Sequence, residues 1–171
     1  MVEITYQMVL STLQTLSLGV GVIYYIMTLQ NTRRNQQITL ETRQAQLFSS
    51  IMDRMDSVEW WTHYPTIRDA PQDRTFDEWE EILQDPIIDG GMGSILAFLN
   101  HVGWLVKKGL IDMETVEENI RAQVVRVHEH MTPYLEEYER RTGRPQTYTH
   151  LKYLYEHVKD SYYQDTQAIK T

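Results

Sequence analysis

Apolar and polar positions are unevenly divided along the chain. Residues 8–29 form a mainly apolar run of 22 positions, and none of the 29 positions between Glu3 and Arg33 is charged. Roughly 20 such residues cross a hydrocarbon core of about 30 Å. Apolar character stops abruptly at Asn31, Thr32, Arg33, Arg34, Asn35, Gln36 and Gln37. Tyr24 and Tyr25 lie near that end, where amphipathic rings favour the headgroup level. A core helix of a soluble protein rarely runs so long without charge, because its outer face must meet water. The pattern predicts a transmembrane anchor over residues 1–31. A cleaved signal peptide would need a positive n-region and a small-residue cleavage site. Here the N-terminus holds Glu3 and no Lys or Arg, and no such site follows Leu29. The competing reading, a buried helix of a soluble bundle, draws on Gln7, Ser11, Thr12, Gln14, Thr15 and Ser17 in the first half of the run.

Those polar residues carry information of their own. Gln7, Ser11, Gln14, Gly21 and Thr28 follow at spacings of 4, 3, 7 and 7, which puts them on one helix face. A glutamine amide facing hydrocarbon is costly. In membranes such residues turn toward another helix, where amides bond across and small residues allow close approach. The face is therefore expected to pack against other transmembrane helices, from copies of this chain or from different subunits, within membrane lipid. Arg33, Arg34 and Arg43 follow the run and no basic residue precedes it. The positive-inside tendency then places the N-terminus outside and the C-terminal domain in the cytoplasm of a single-pass protein of the cell membrane.

After the span the pattern stays helical. Residues 32–58, free of Gly and Pro, read as a stalk helix that enters a bundle; Leu47, Phe48, Ile51, Met52, Met55 and Val58 form a core-facing stripe. Pro65, Pro71 and Pro86 then break the regularity, with a short helix Phe76–Leu83 opened by Thr75 and Glu78 as a capping box. An apolar helix follows, through Ile95, Leu96, Phe98, Leu99, Val102, Leu105 and Val106, with Gly109 as its left-handed cap. Asp112 caps the next helix, which Pro133 kinks or breaks and which Gly143 and Pro145 end. A last helix starts near Thr147, and residues 164–171 read as a frayed tail. No long period-two alternation and no internal repeat occurs. The fold class is all-α: an N-terminal transmembrane helix running on into a stalk, then a cytoplasmic bundle (59–163) of about five helices.

Charge narrows the partners. The net charge is −8, of which −7 follows the span. An acidic domain suits neither nucleic acid nor anionic lipid. Without cysteine there is no disulfide and no thiolate metal site. His128 and His130 are two apart, on different faces; His150 and His157 share a face without a carboxylate to complete a ligand set. Residues 89–94, Asp-Gly-Gly-Met-Gly-Ser, read as a glycine-rich loop opening a helix, without a P-loop lysine or a preceding strand. Trp60, Trp61 and Tyr64 read either as core or as the wall of a pocket or interface. No nucleophile with a visible base, no cofactor site and no enzyme signature emerges.

FLNHVGWLVKKGLIDMETV, and HEHMTPYLEEYERRTGRPQTYTHLKYLYEHVKD after it, resemble an uncharacterised family of small archaeal and bacterial membrane-anchored helical proteins. TLETRQAQLF, after the span, resembles it too. His128 stands where that family commonly has tryptophan, and residues 70–91 look elaborated. The resemblance covers about two thirds of the chain. It implies the fold and topology, with no activity; it casts Gly103 and Gly109 in packing and capping, and Leu110 and Ile111 as core anchors. Two functions are expected to compete: an accessory or scaffold subunit assembling with itself or a larger membrane complex, and a membrane-tethered sensor binding a small ligand between its helices.

Overall fold

The computed structural model describes residues 6–71, 73–143 and 148–168. Six helices account for the secondary structure of these residues: α1 (Tyr6–Met55), α2 (Val58–Arg68), α3 (Phe76–Leu83), α4 (Pro86–Lys107), α5 (Met113–Thr142) and α6 (Thr149–Ala168). Among the described residues there is no strand. The Gln7 side chain, the expected helix start at Thr147 and the last three residues of the expected tail lie outside them. The chain divides into two units, Met1–Gln46 and Leu47–Thr171.

In Met1–Gln46 the helix has no cover. Every described side chain from 6 to 43 is exposed. Its threonines turn their hydroxyls back onto the helix: Thr12, Thr15, Thr28 and Thr32 donate to the carbonyls of Met8, Ser11, Tyr24 and Thr28 at 2.8–2.9 Å. This lowers the cost of a hydroxyl in apolar surroundings.

In Leu47–Thr171, α4 and α5 form the centre, and α2, α3 and α6 each pack on both. Ile51 and Met55, from the last turns of α1, join the core with Ile67, Trp79, Leu99, Val102, Val124, Val127 and Leu154. Fully burying one such side chain contributes roughly 1.5–3 kcal/mol. The expected stalk helix does not reach Val58. It ends at Met55, because Ser57 adopts an extended conformation and its Oγ accepts from Trp60 N, capping a new helix. Val58 is consequently 84% exposed rather than part of the core stripe. Arg54 crosses the break, donating to both Glu59 carboxylate oxygens (2.7 and 3.1 Å) and to Ser94 Oγ of α4 (2.8 Å).

Other boundaries follow from their caps. The Thr75–Glu78 capping box is present at the start of α3. The expected glycine-rich loop is instead the first turns of α4: Asp85 accepts from Ile87 N and Pro86 occupies the first turn, so the helix starts before the glycines. Gly91 is needed there, since a Cβ would lie 2.2 Å from the His63 ring. Gly109 (φ 68°) and Gly143 (φ 65°) take the left-handed conformation at the ends of α4 and α5. Asp112 caps α5 through Thr115 N at 2.7 Å. Pro133 lies inside α5 without ending it, and Pro65 lies inside α2. Beyond Pro133 the helix stays docked: Tyr134 stacks on Phe76 (5.1 Å between centroids), and Arg141 covers the same end of α3 through Phe76 and Asp77. The expected frayed tail is helical as far as Ala168, with Asp165 paired to Arg121 of α5 and Thr166 bonded to Tyr162 O.

The tightest junction joins α4 to α6. Asn100 Oδ1 accepts from His150 N (3.0 Å) and Leu151 N (3.2 Å), satisfying two amides of the first turn of α6 from a neighbouring helix. One turn away, a Cβ on Gly103 would lie 2.2 Å from His150 O. Gly103→Ala is expected to lower unfolding stability by about 1–3 kcal/mol, and Asn100→Ala by about 1 kcal/mol. Denaturant unfolding of the detergent-solubilised chain, followed by circular dichroism, measures both; an unchanged midpoint for Gly103→Ala would refute the close approach.

Candidate functional site

Three regions carry the residues that chemistry or recognition would use. The first is the Trp60, Trp61, Tyr64 cluster of α2. Ser57 sets the start of α2, and positions 60, 64 and 67 then fall on its inner face. Trp60 and Tyr64 are each only 3% exposed, stacked on one another at 5.4 Å, and Trp60 meets Phe98 edge-on at 5.6 Å. They are core, not the wall of an open pocket. Trp61 alone faces outward, 51% exposed. Burial pushes the Tyr64 hydroxyl above its ordinary value, although Arg126 opposes the shift. The Arg126 guanidinium lies close to both Tyr64 of α2 and Tyr162 of α6, which hold it above its ordinary value. The sequence gives no sign of this bridge, because its three residues lie 36 or more positions apart.

The second is a cleft of ≈ 150 Å³ between α5 and α6, lined by His128, Met131, Glu136, Glu139, Tyr148 and Lys152 among others. His128 lies flat against Tyr155, with centroids 3.9 Å apart and planes at 8°. Its usual counterpart in the resembling family, a tryptophan, would offer the same flat face. Nearby, Glu129 accepts hydrogen bonds from the Tyr155 and Tyr163 hydroxyls. Burial holds His128 and His130 below the ordinary histidine value, outweighing the pull of Glu129. Among the described residues no three His, Asp or Glu side chains are grouped to hold a metal ion. His150 adjoins α4 through its backbone and shares no ligand set with His157, whose Nδ1 lies 2.8 Å from Tyr153 O.

The third is the polar face of α1. Ser11, Gln14, Gly21 and Thr28 lie on one unbroken helix, all exposed. The Thr28 hydroxyl is satisfied by Tyr24 O, whereas Gln14 makes no hydrogen bond among the described residues. The same seven-residue step continues to Asn35 and Thr42. Two shallow concavities follow this face: one lined by Leu10, Gln14, Ser17, Gly21 and Tyr25, the other by Thr32, Asn35, Thr39 and Arg43. They arise where small or short side chains sit between larger ones. A strict seven-residue period is the register of helices wound together left-handedly.

The histidine environment sets a pH dependence. Above the ordinary histidine value of 6.5, His128 and His130 are neutral in both folded and unfolded chains and contribute nothing. As pH falls through 6.5, the unfolded chain takes up protons that the folded bundle refuses, and stability is lost. Glu78, Asp112 and Glu137 (the last held down to about 2 by Arg140 and Arg141) sit below their ordinary values of 4.5, 3.8 and 4.5, and add a further loss at lower pH. The melting temperature is expected to drop between about pH 7 and about pH 5, and the His128→Gln, His130→Gln double variant to flatten that upper stage. A flat wild-type profile over the range would show that these histidines titrate normally.

A comparison with curated proteins gives no match, and neither does one with solved structures. One family model does match, over residues 15–158, from the apolar part of α1 to the last helix. That match takes in most of the chain, and the protein belongs to the DUF4760 family, a domain of unknown function.

Proposed function

We propose that the chain is a single-pass, membrane-anchored accessory or scaffold subunit, which assembles through α1 with its own copies or with a larger membrane complex. One observation carries the reading: the apolar window of α1, long enough to cross a bilayer, has none of its residues buried within the chain. A soluble core helix would be covered; lipid or neighbouring helices are the remaining cover. The family match begins at residue 15, inside the apolar run, which supports treating that run as part of the domain. The polar column supports partner helices, because Gln14 offers an amide that lipid cannot satisfy. Arg33, Arg34 and Arg43 favour the cytoplasm for the bundle.

The alternative, a tethered sensor with Trp60, Trp61 and Tyr64 around a ligand, draws no support from α2, since Trp60 and Tyr64 are packed shut.

The test has two stages. Resistance to alkaline carbonate extraction from native membranes checks the anchor; release into the supernatant would overturn it. The mass of the complex in mild detergent, with co-purifying chains identified, then checks assembly. An interhelical polar contact contributes about 0.6–2 kcal/mol, so Gln14→Leu is expected to weaken assembly several-fold while the bundle melts unchanged. Assembly that survives this substitution intact would remove the polar face from the interface.

A further inference from the structure

Unit Leu47–Thr171 holds 22 Asp and Glu against 13 Lys and Arg, a net charge of −9. Its charges are not spread evenly. The 22 positions from 90 to 111 contain no carboxylate and include Lys107 and Lys108. Ala97, His101, Trp104 and Lys108 succeed one another at 4, 3 and 4, one face of α4, and all are exposed. His101 stacks on Trp104 at 5.5 Å, holding the indole on the surface. After the helix, the left-handed Gly109 turns the chain so that Ile111 is buried (2% exposed) and Leu110, expected as a core anchor, is 42% exposed. The face therefore combines an indole, an isobutyl group and two ammonium groups.

The two lysines are unspent. Each described arginine of this unit is engaged: Arg54, Arg68, Arg121, Arg140 and Arg141 with carboxylates, Arg74 with the Trp79 ring, and Arg126 with two tyrosine hydroxyls. Lys107 and Lys108 form no ion pair among the described residues. The nearest carboxylate along the chain, Asp112, is committed to its N-cap.

We propose that this face, formed by Trp104, Lys107, Lys108 and Leu110, docks on an anionic membrane surface. The inference rests on the anchor reading above. Charge complementarity selects the occupant: the rest of the unit is acidic and is repelled by anionic headgroups, so the lysine-bearing face, drawn from the 22 positions that hold no carboxylate, is the face that approaches them. Trp and Leu add the insertion that interfacial contacts use. Two lysines are weak attraction for a free protein, about 1 kcal/mol each. A tether changes this, because docking becomes intramolecular and weak contacts suffice.

The chain has no cysteine, so Leu110→Cys gives a single labelling position on an exposed residue. The full chain, labelled there with an environment-sensitive fluorophore, is reconstituted in nanodiscs of phosphatidylcholine alone or mixed with phosphatidylserine, with brominated acyl chains as quenchers. Quenching in the phosphatidylserine discs, little of it in phosphatidylcholine discs, and about a thirtyfold lower docked-to-undocked ratio in the Lys107→Gln, Lys108→Gln variant are the expected results. Retention of the chain in discs under carbonate with an unquenched label overturns this proposal alone. A label shielded from a soluble quencher yet unreached by brominated chains also overturns it, in favour of a protein partner. Quenching equal in both lipids overturns the charge argument, and release by carbonate overturns the anchor reading and this proposal together.

Discussion

The approach of α6 to α4 is the contact on which the bundle turns. Two helix backbones come within reach of each other only because position 103 has no side chain, and two first-turn amides of α6 find an acceptor on Asn100. With α6 seated, the aromatic and carboxylate groups between α5 and α6 fall into place: Tyr155 on His128, Tyr155 and Tyr163 on Glu129, Tyr162 against Arg126. The resembling motif around FLN and GLID thus reads as the wiring of one junction. Asn100 serves the start of α6 and Gly109 the end of α4.

A different constraint governs α1. Water is a poor solvent for a long uncharged helix, and none of the described residues covers its apolar window. The bundle and the exposed part of α1 are built in opposite ways. The bundle buries its apolar stripes against each other and turns charge outward. The exposed part of α1 keeps apolar residues on its outside, with its amides and small groups along one column. The column keeps its seven-residue step past the apolar run, through Asn35 and Thr42, so its polar residues are regularly placed rather than scattered.

Most of the helices were legible because their caps are local. Thr75 with Glu78, Asp112, Gly109 and Gly143 each act within a few residues of themselves, so the sequence alone places them. The errors have local causes as well. Pro65 and the glycines at 90, 91 and 93 look like breakers, yet Pro65 sits in a helix started by Ser57, and the glycines lie beyond a helix start fixed by Asp85 and Pro86. Leu110, which the family resemblance casts as core, is exposed because the turn at Gly109 points only one of Leu110 and Ile111 inward. What could not be read is what joins distant positions: Asn100 with His150, Arg126 with Tyr64 and Tyr162, Gly91 with His63. No periodicity encodes these, since each is a property of two elements that meet only after folding.

The capping of α6 by a residue fifty positions earlier also sets an order of events. Two amides of its first turn are satisfied from α4, so α6 is more stable once the rest of the bundle is in place than as an isolated helix. During synthesis, α4 and α5 emerge first, with the surfaces that α6 will cover still open to solvent. The interval before residue 150 leaves the translating machinery is then the period of greatest exposure to chaperones and proteases. The contact of Asn100 with His150 joins positions fifty apart, which makes it a non-local step in folding rather than a zipper running along the chain.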